Sequence, residues 1–93
     1  MRYRVELRPK ARSYLRRLPV NTQRQIIQHL EALERGPRPT WCKQLSGDLK
    51  GRWSFRVGDY RVVYRIEDDV LLVLVLRIGP RGRVYEDAAR DVD

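Results

Sequence analysis

"SFRVGDYRVVYRIEDD", residues 54–69, turns once, at Gly58-Asp59, and alternates on both sides of the turn. Before it, Trp53, Phe55 and Val57 alternate with Arg52, Ser54 and Arg56; after it, Tyr60, Val62, Tyr64 and Ile66 alternate with Arg61, Val63 and Arg65. Period two is the period of a strand, and a Gly-Asp pair between two such runs is a hairpin turn. Side chains two apart share a face, so burying the aromatic set sends Arg52, Ser54, Arg56, Arg61, Val63 and Arg65 to the other side. The hairpin therefore has an apolar face and a cationic face.

Working outward, "VLLVLVLRI" at 70–78 is a continuous apolar run of strand length, as expected of a central strand, with "EDD" turning the chain before it. At the other end, Tyr3, Val5 and Leu7 alternate with Arg2, Arg4, Glu6 and Arg8, predicting a first strand. Pro9 suits the first turn of a helix, and Ala11, Tyr14, Leu15 and Leu18 recur at helical spacing until Pro19 stops it. Asn21 or Thr22 is placed to cap a second helix with the stripe Ile26, Ile27, Leu30 and Leu33, ended by Gly36 and Pro37; His29 falls at the solvent edge of that stripe. "GPRPTWCKQLSGDLKG" has no sustained period and reads as a loop pinned to the core by Trp41, Leu45 and Leu49. "GPRGR" breaks the pattern again before a short last extended piece. The expectation is one α+β domain over 1–93: an N-terminal strand, a two-helix hairpin, then an antiparallel sheet of three or four strands with the helices on one face.

Twenty Lys and Arg against twelve Asp and Glu give a formal charge of +8, unevenly spread. Residues 1–66 carry +11 and residues 67–93 carry −3, so the basic part suits a polyanion. Seventeen of the twenty cations are Arg, whose fork grips a phosphate with two hydrogen bonds where Lys offers a point charge. One cysteine, Cys42, forms no internal disulfide, and with one histidine the chain has no cluster spaced for zinc; neither metal nor cofactor is expected. No apolar run reaches membrane-spanning length and "MRYRVELRPK" is no signal peptide, which makes the cytoplasm the expected location.

Four arginines on adjacent strands repel, and Asp59 is the only acid from 52 to 66, so the cationic face asks for an anionic ligand. An ordinary solvated face, with the arginines paired to Asp87, Asp91 and Asp93 of the tail, is the alternative. Downstream, Arg81, Arg83 and Tyr85 follow a turn at "GPRG" that can bring them to the edge of the same face. Arginines around a phosphate with one tyrosine can cleave RNA through its own 2′-OH. A base takes the hydroxyl proton, cations stabilise charge on the phosphorane-like oxygens, and an acid protonates the leaving 5′-oxygen. Surrounding guanidinium charge favours a phenolate, which would make Tyr85 a better base; an aromatic packing the sheet edge is the alternative role for Tyr85.

"DYRVVYRIEDD", "LLVLVLRIG" and "PRGRVYEDA", in that order and spacing, resemble the RelE-type toxins of bacterial and archaeal toxin–antitoxin pairs, and the resemblance covers nearly the whole chain. It implies a RelE-like fold and a ribosome-dependent messenger-RNA endonuclease that inhibits translation. It implies further that Arg61 and Arg81 contact the scissile phosphate and that Tyr85 lies at the 2′-OH as base or orienting group. Arg52 stands where such toxins often carry a lysine, and Ser54 replaces a second lysine of many active members, a gap that Arg56, on the same face, is placed to fill in part. Lys50, Arg65 and Arg83 complete the expected RNA-binding set. The implied partners are the ribosome, its message and a cognate RelB-like antitoxin. Two readings compete: a ParE-like gyrase poison, which generally lacks the closing tyrosine, and a non-catalytic RNA- or ribosome-binding module, for which Ser54 is the argument.

Overall fold

The computed structural model describes residues 2–80 of the 93, so the expectations for Arg81, Arg83 and Tyr85 lie outside the described residues. Strand β1, Arg4–Leu7, leads through Arg8 into helix α1, Pro9–Arg17, with the proline in the first turn as expected. Helix α2, Val20–Arg35, follows α1 after the two-residue connection Leu18-Pro19. Its N-cap is Pro19, without a side-chain cap, and not Asn21 or Thr22: the Pro19 carbonyl already accepts the first helical hydrogen bond, from the Gln23 N–H at 2.9 Å. Gln23 serves the neighbouring helix instead, donating from Nε2 to the carbonyls of Leu18 (2.7 Å) and Arg16 (3.2 Å) at the end of α1.

The segment expected to be loop contains a two-residue strand, β2, Lys43–Gln44, and a single 3-10 turn at Gly47–Leu49. Strands β3, Arg52–Val57, and β4, Tyr60–Glu67, form the hairpin around Gly58, whose φ of +59° is the left-handed conformation such a tight turn uses. The acidic turn winds into another 3-10 turn, Asp68–Val70, so β5 covers Leu72–Pro80 and leaves Val70 exposed.

The sheet has five strands in the order β1-β5-β4-β3-β2. It is antiparallel from β2 to β5, and β1 joins the far edge parallel to β5 because the helix hairpin carries the chain back across one face. That face holds the core: Ala11, Leu15, Leu18, Ile26, Leu30 and Leu33 of the helices meet Phe55, Val57, Val62, Tyr64, Val73, Val75 and Ile78. Ile27, expected in the α2 stripe, is 43% exposed and lines a groove between the helices instead. Tyr64 is fully buried and donates its hydroxyl to the Pro37 carbonyl at 2.7 Å, which fixes the chain leaving α2; burial first, then Cys42 beside it, raises its phenol far above the ordinary range.

His29 is half-buried at the solvent edge of the α2 stripe, as expected. Its ring stacks on Phe55 (5.3 Å, 11°) and meets the edge of Trp41 (4.9 Å). Tyr3 and Arg38 both bind Asp68, Tyr3 Oη to Oδ1 at 2.5 Å and Arg38 Nη2 to Oδ2 at 2.7 Å, latching the start of the chain and the α2 exit onto the turn before β5. No helix among the described residues is long and apolar enough to cross a membrane.

Candidate nucleic-acid interface

The face away from the helices is set by strand register. Arg52 stands opposite Arg65 and Arg56 opposite Arg61, so the four arginines do share one side, in two directly facing pairs. Between the pairs lies Ser54 opposite Val63, and β2 and β5 extend this middle row at both ends, Lys43 pairing with Ser54 and Arg77 with Val63. The rows therefore run Arg52–Arg65–Leu74–Glu6, then Lys43–Ser54–Val63–Arg77, then Arg56–Arg61–Gly79.

This middle row corrects two expectations. Ser54 is completely buried, not displayed to a ligand, and Val63 beside it is buried too. The cover comes from the β2–β3 connection: Leu49 is buried against Val63 with Leu45 packed beside it, so these two leucines seal the face opposite the main core. Trp41, the third residue expected to pin the loop, is 42% exposed, although its ring edge does meet Phe55 at 5.4 Å. An apolar patch thus divides the cationic face, with Arg52 and Arg65 at one end and Arg56 and Arg61 at the other.

Arg65 Nε stands 2.8 Å from Glu67 Oε1, two residues on along the same face. Arg56 Nε donates to the Gly58 carbonyl at 2.7 Å, holding its head toward the hairpin tip and beside its partner Arg61. Lys50 is exposed just before β3, after the 3-10 turn that presents Leu49. Of the nine candidate residues, six are described: Arg52, Ser54, Arg56, Arg61 and Arg65 share the sheet face, and Lys50 lies at its rim.

Lys43 and Arg77 were missed. Lys43 had no strand pattern around it. Arg77 was hidden by a β-bulge, since the register of β5 slips between Val63 and Tyr64 and leaves Leu76 as an extra residue. Val73 and Val75 point to the core, and simple alternation would put Arg77 with them; after the bulge it is Ile78 that enters the core and Arg77 that faces Val63. The one signal in the sequence is a lone charge inside an apolar run.

Among the described residues the site brings cations together on a pleated surface with few acids, an arrangement suited to a phosphodiester chain. Comparison with known proteins finds relatives over most of the chain. The family described as the ParE toxin of type II toxin-antitoxin systems, parDE, matches residues 5–85. Toxin RelG of Mycobacterium tuberculosis is 34% identical over 86 residues, covering 91% of this chain and 98% of that one. The toxin-antitoxin complex RelBE2 of the same organism contains a chain with 33% identity and a TM-score of 0.76, over 87% of this chain and all of that one. The archaeal RelE-RelB complex of Pyrococcus horikoshii gives 30% identity and a TM-score of 0.77, over 90% and 100%.

Proposed function

The chain belongs to the RelE/ParE family of type II toxins, and from that premise we propose that it is a messenger-RNA endonuclease acting on the ribosome. The observation that carries the reading is the register that sets Arg52 against Arg65 and Arg56 against Arg61 on the sheet face away from the helices, with Lys43 and Arg77 at the ends of the row between them. Six cations on three rows can track several successive phosphates, more than a surface arranged for solubility needs.

In this reading the RNA supplies its own nucleophile. The 2′-oxygen attacks the adjacent phosphorus as its proton passes to the Tyr85 phenolate, Arg61 and Arg81 hold the non-bridging oxygens as charge grows on them, and the bond to the 5′-oxygen breaks as that oxygen takes up a proton from water. The products are a 2′,3′-cyclic phosphate and a 5′-hydroxyl. Ser54, buried as it is, takes no part; Lys43 occupies the same row and is exposed, a better substitute for the missing lysine than Arg56. The ribosome, itself a polyanion, would orient the message and supply much of the entropic advantage. The partner would be a RelB-like antitoxin, since the M. tuberculosis and P. horikoshii relatives are seen in complexes with antitoxins.

The test is message cleavage in a translating extract, with cut ends mapped by primer extension. Arg61→Ala and Tyr85→Phe should each reduce cleavage by roughly 10²–10³, the scale of losing one stabilising donor at a developing anion. Wild-type activity in both variants would exclude this site. Loss of gyrase supercoiling with messages left intact would favour the ParE side of the family instead.

A further inference from the structure

Helix α1 carries Lys10, Arg12, Arg16 and Arg17, all exposed, and the sequence has no acid between Glu6 and Glu31. Lys10 and Arg17 line a cleft of about 300 Å³ between α1 and the end of β5, together with Ser13, Tyr14, Arg77 and Pro80. Among the described residues the cleft arises because β1 stops at Leu7, opposite Val75, while β5 runs on to Pro80 with no described strand beyond it there. Arg77 joins the two surfaces, being both the register partner of Val63 on the open face and a wall of the cleft. Gly79, partner of Arg61, has no side chain to obstruct the ground between Arg61 and this edge.

We propose that an RNA strand crossing the open sheet face continues over the outer edge of β5 and places a flanking nucleotide in the α1–β5 cleft, its phosphates against Arg77, Lys10 and Arg17. The inference rests on the nuclease reading and extends it to a second, non-catalytic contact that positions the message. The cleft has the two components single-stranded RNA requires, cations for the backbone and an aromatic wall for a base. Tyr14 supplies the wall. Its ring is held edge-on to Tyr60 at 6.3 Å, and the Arg17 guanidinium carbon lies 5.9 Å from its centroid. Burial pushes the Tyr14 phenol up, so it stays neutral and able to donate a hydrogen bond beside a phosphate. An acidic protein segment would answer to the charge but would make no use of the ring.

The experiment is fluorescence anisotropy with the full chain and 5′-labelled single-stranded RNAs of about ten and about three nucleotides, lengths that do and do not outrun the sheet face. Lys10→Ala/Arg17→Ala should weaken the longer RNA about tenfold and lower its log–log salt slope by about 1.4, some 0.7 for each lost contact, while leaving the shorter RNA unchanged. Arg24→Ala/Arg35→Ala, which removes the same charge from exposed positions on α2, should have a much smaller effect. Equal losses in the two double variants, unchanged binding of the longer RNA, no wild-type binding of it, or displacement of it by an equal concentration of a poly-glutamate peptide would each overturn the proposal. Failure of the underlying reading looks different: Arg56→Ala/Arg61→Ala would then bind both RNAs as the wild type does.

Discussion

Ser54→Lys places a long cationic side chain where the structure leaves room for a hydroxyl. Ser54 is 0% exposed, its row partners are Lys43 and Val63, and Val63 lies under Leu49 and Leu45. Forcing extra methylenes into a filled site costs about 1–3 kcal/mol, and an ammonium directly beside Lys43 adds about 0.2–1 kcal/mol. Taking about 2 kcal/mol in total, Tm should fall by roughly 8–16 °C in a domain of this size. Leu49→Ala alone should cost about 2 kcal/mol, the low end for a buried leucine, because its cluster is small. The double variant should lose at least ~1 kcal/mol less than the sum of the two, since removing the leucine gives the lysine stem an exit to the open face. Urea denaturation with a shared slope closes the cycle, and message cleavage is measured beside it. Cleavage should rise from Leu49→Ala to the double variant, whose new ammonium emerges among the arginines. Additivity within about 0.5 kcal/mol, or a Ser54→Lys midpoint equal to that of the wild type, would refute the idea that the leucines seal this row.

Tyr64→Phe should cost about 1–2 kcal/mol by stranding the Pro37 carbonyl, read as a calorimetric Tm drop, with no change in RNA affinity; an unchanged Tm would mean that this hydrogen bond holds nothing. Arg38 and Tyr3 keep the Asp68 carboxyl below its ordinary pKa. A carboxylate depressed in the folded state stabilises it fully above the ordinary value and loses that contribution as pH falls through the folded value. Melting curves from about pH 5 down to about pH 2 should therefore show a wild-type loss that Asp68→Asn lacks, and parallel curves would remove the latch from the account. Burial raises the Cys42 thiol, the neighbouring Tyr64 only partly opposing it. Alkylation by iodoacetamide near pH 8 should accordingly be slower than for the urea-unfolded chain, and equal rates would contradict that environment.

Much of the fold was legible because its signals are local. The alternation through residues 52–66 named the hairpin and both of its faces, Pro9 and Pro19 bracketed the first helix, and the apolar run located the central strand near its place in the order. The parallel docking of β1 against β5 was not legible, since pairing between strands some seventy residues apart depends on where the helix hairpin lands. Composition and spacing also sufficed to put four arginines on one side of the sheet.

Neither composition nor spacing could decide what shares that side with them. Ser54 alternates with arginines and so reads as exposed, but a 3-10 turn after β2 lays Leu49 over its row, a contact between segments whose patterns show no relation. Arg77 obeys the parity of Val73 and Val75 only up to Leu76, where one unpaired residue turns the strand and exchanges inside for outside. A strand's period says which residues travel together. Whether the count is kept along its whole length, and what is folded down on top of it, is fixed only when neighbouring strands and loops close against one another.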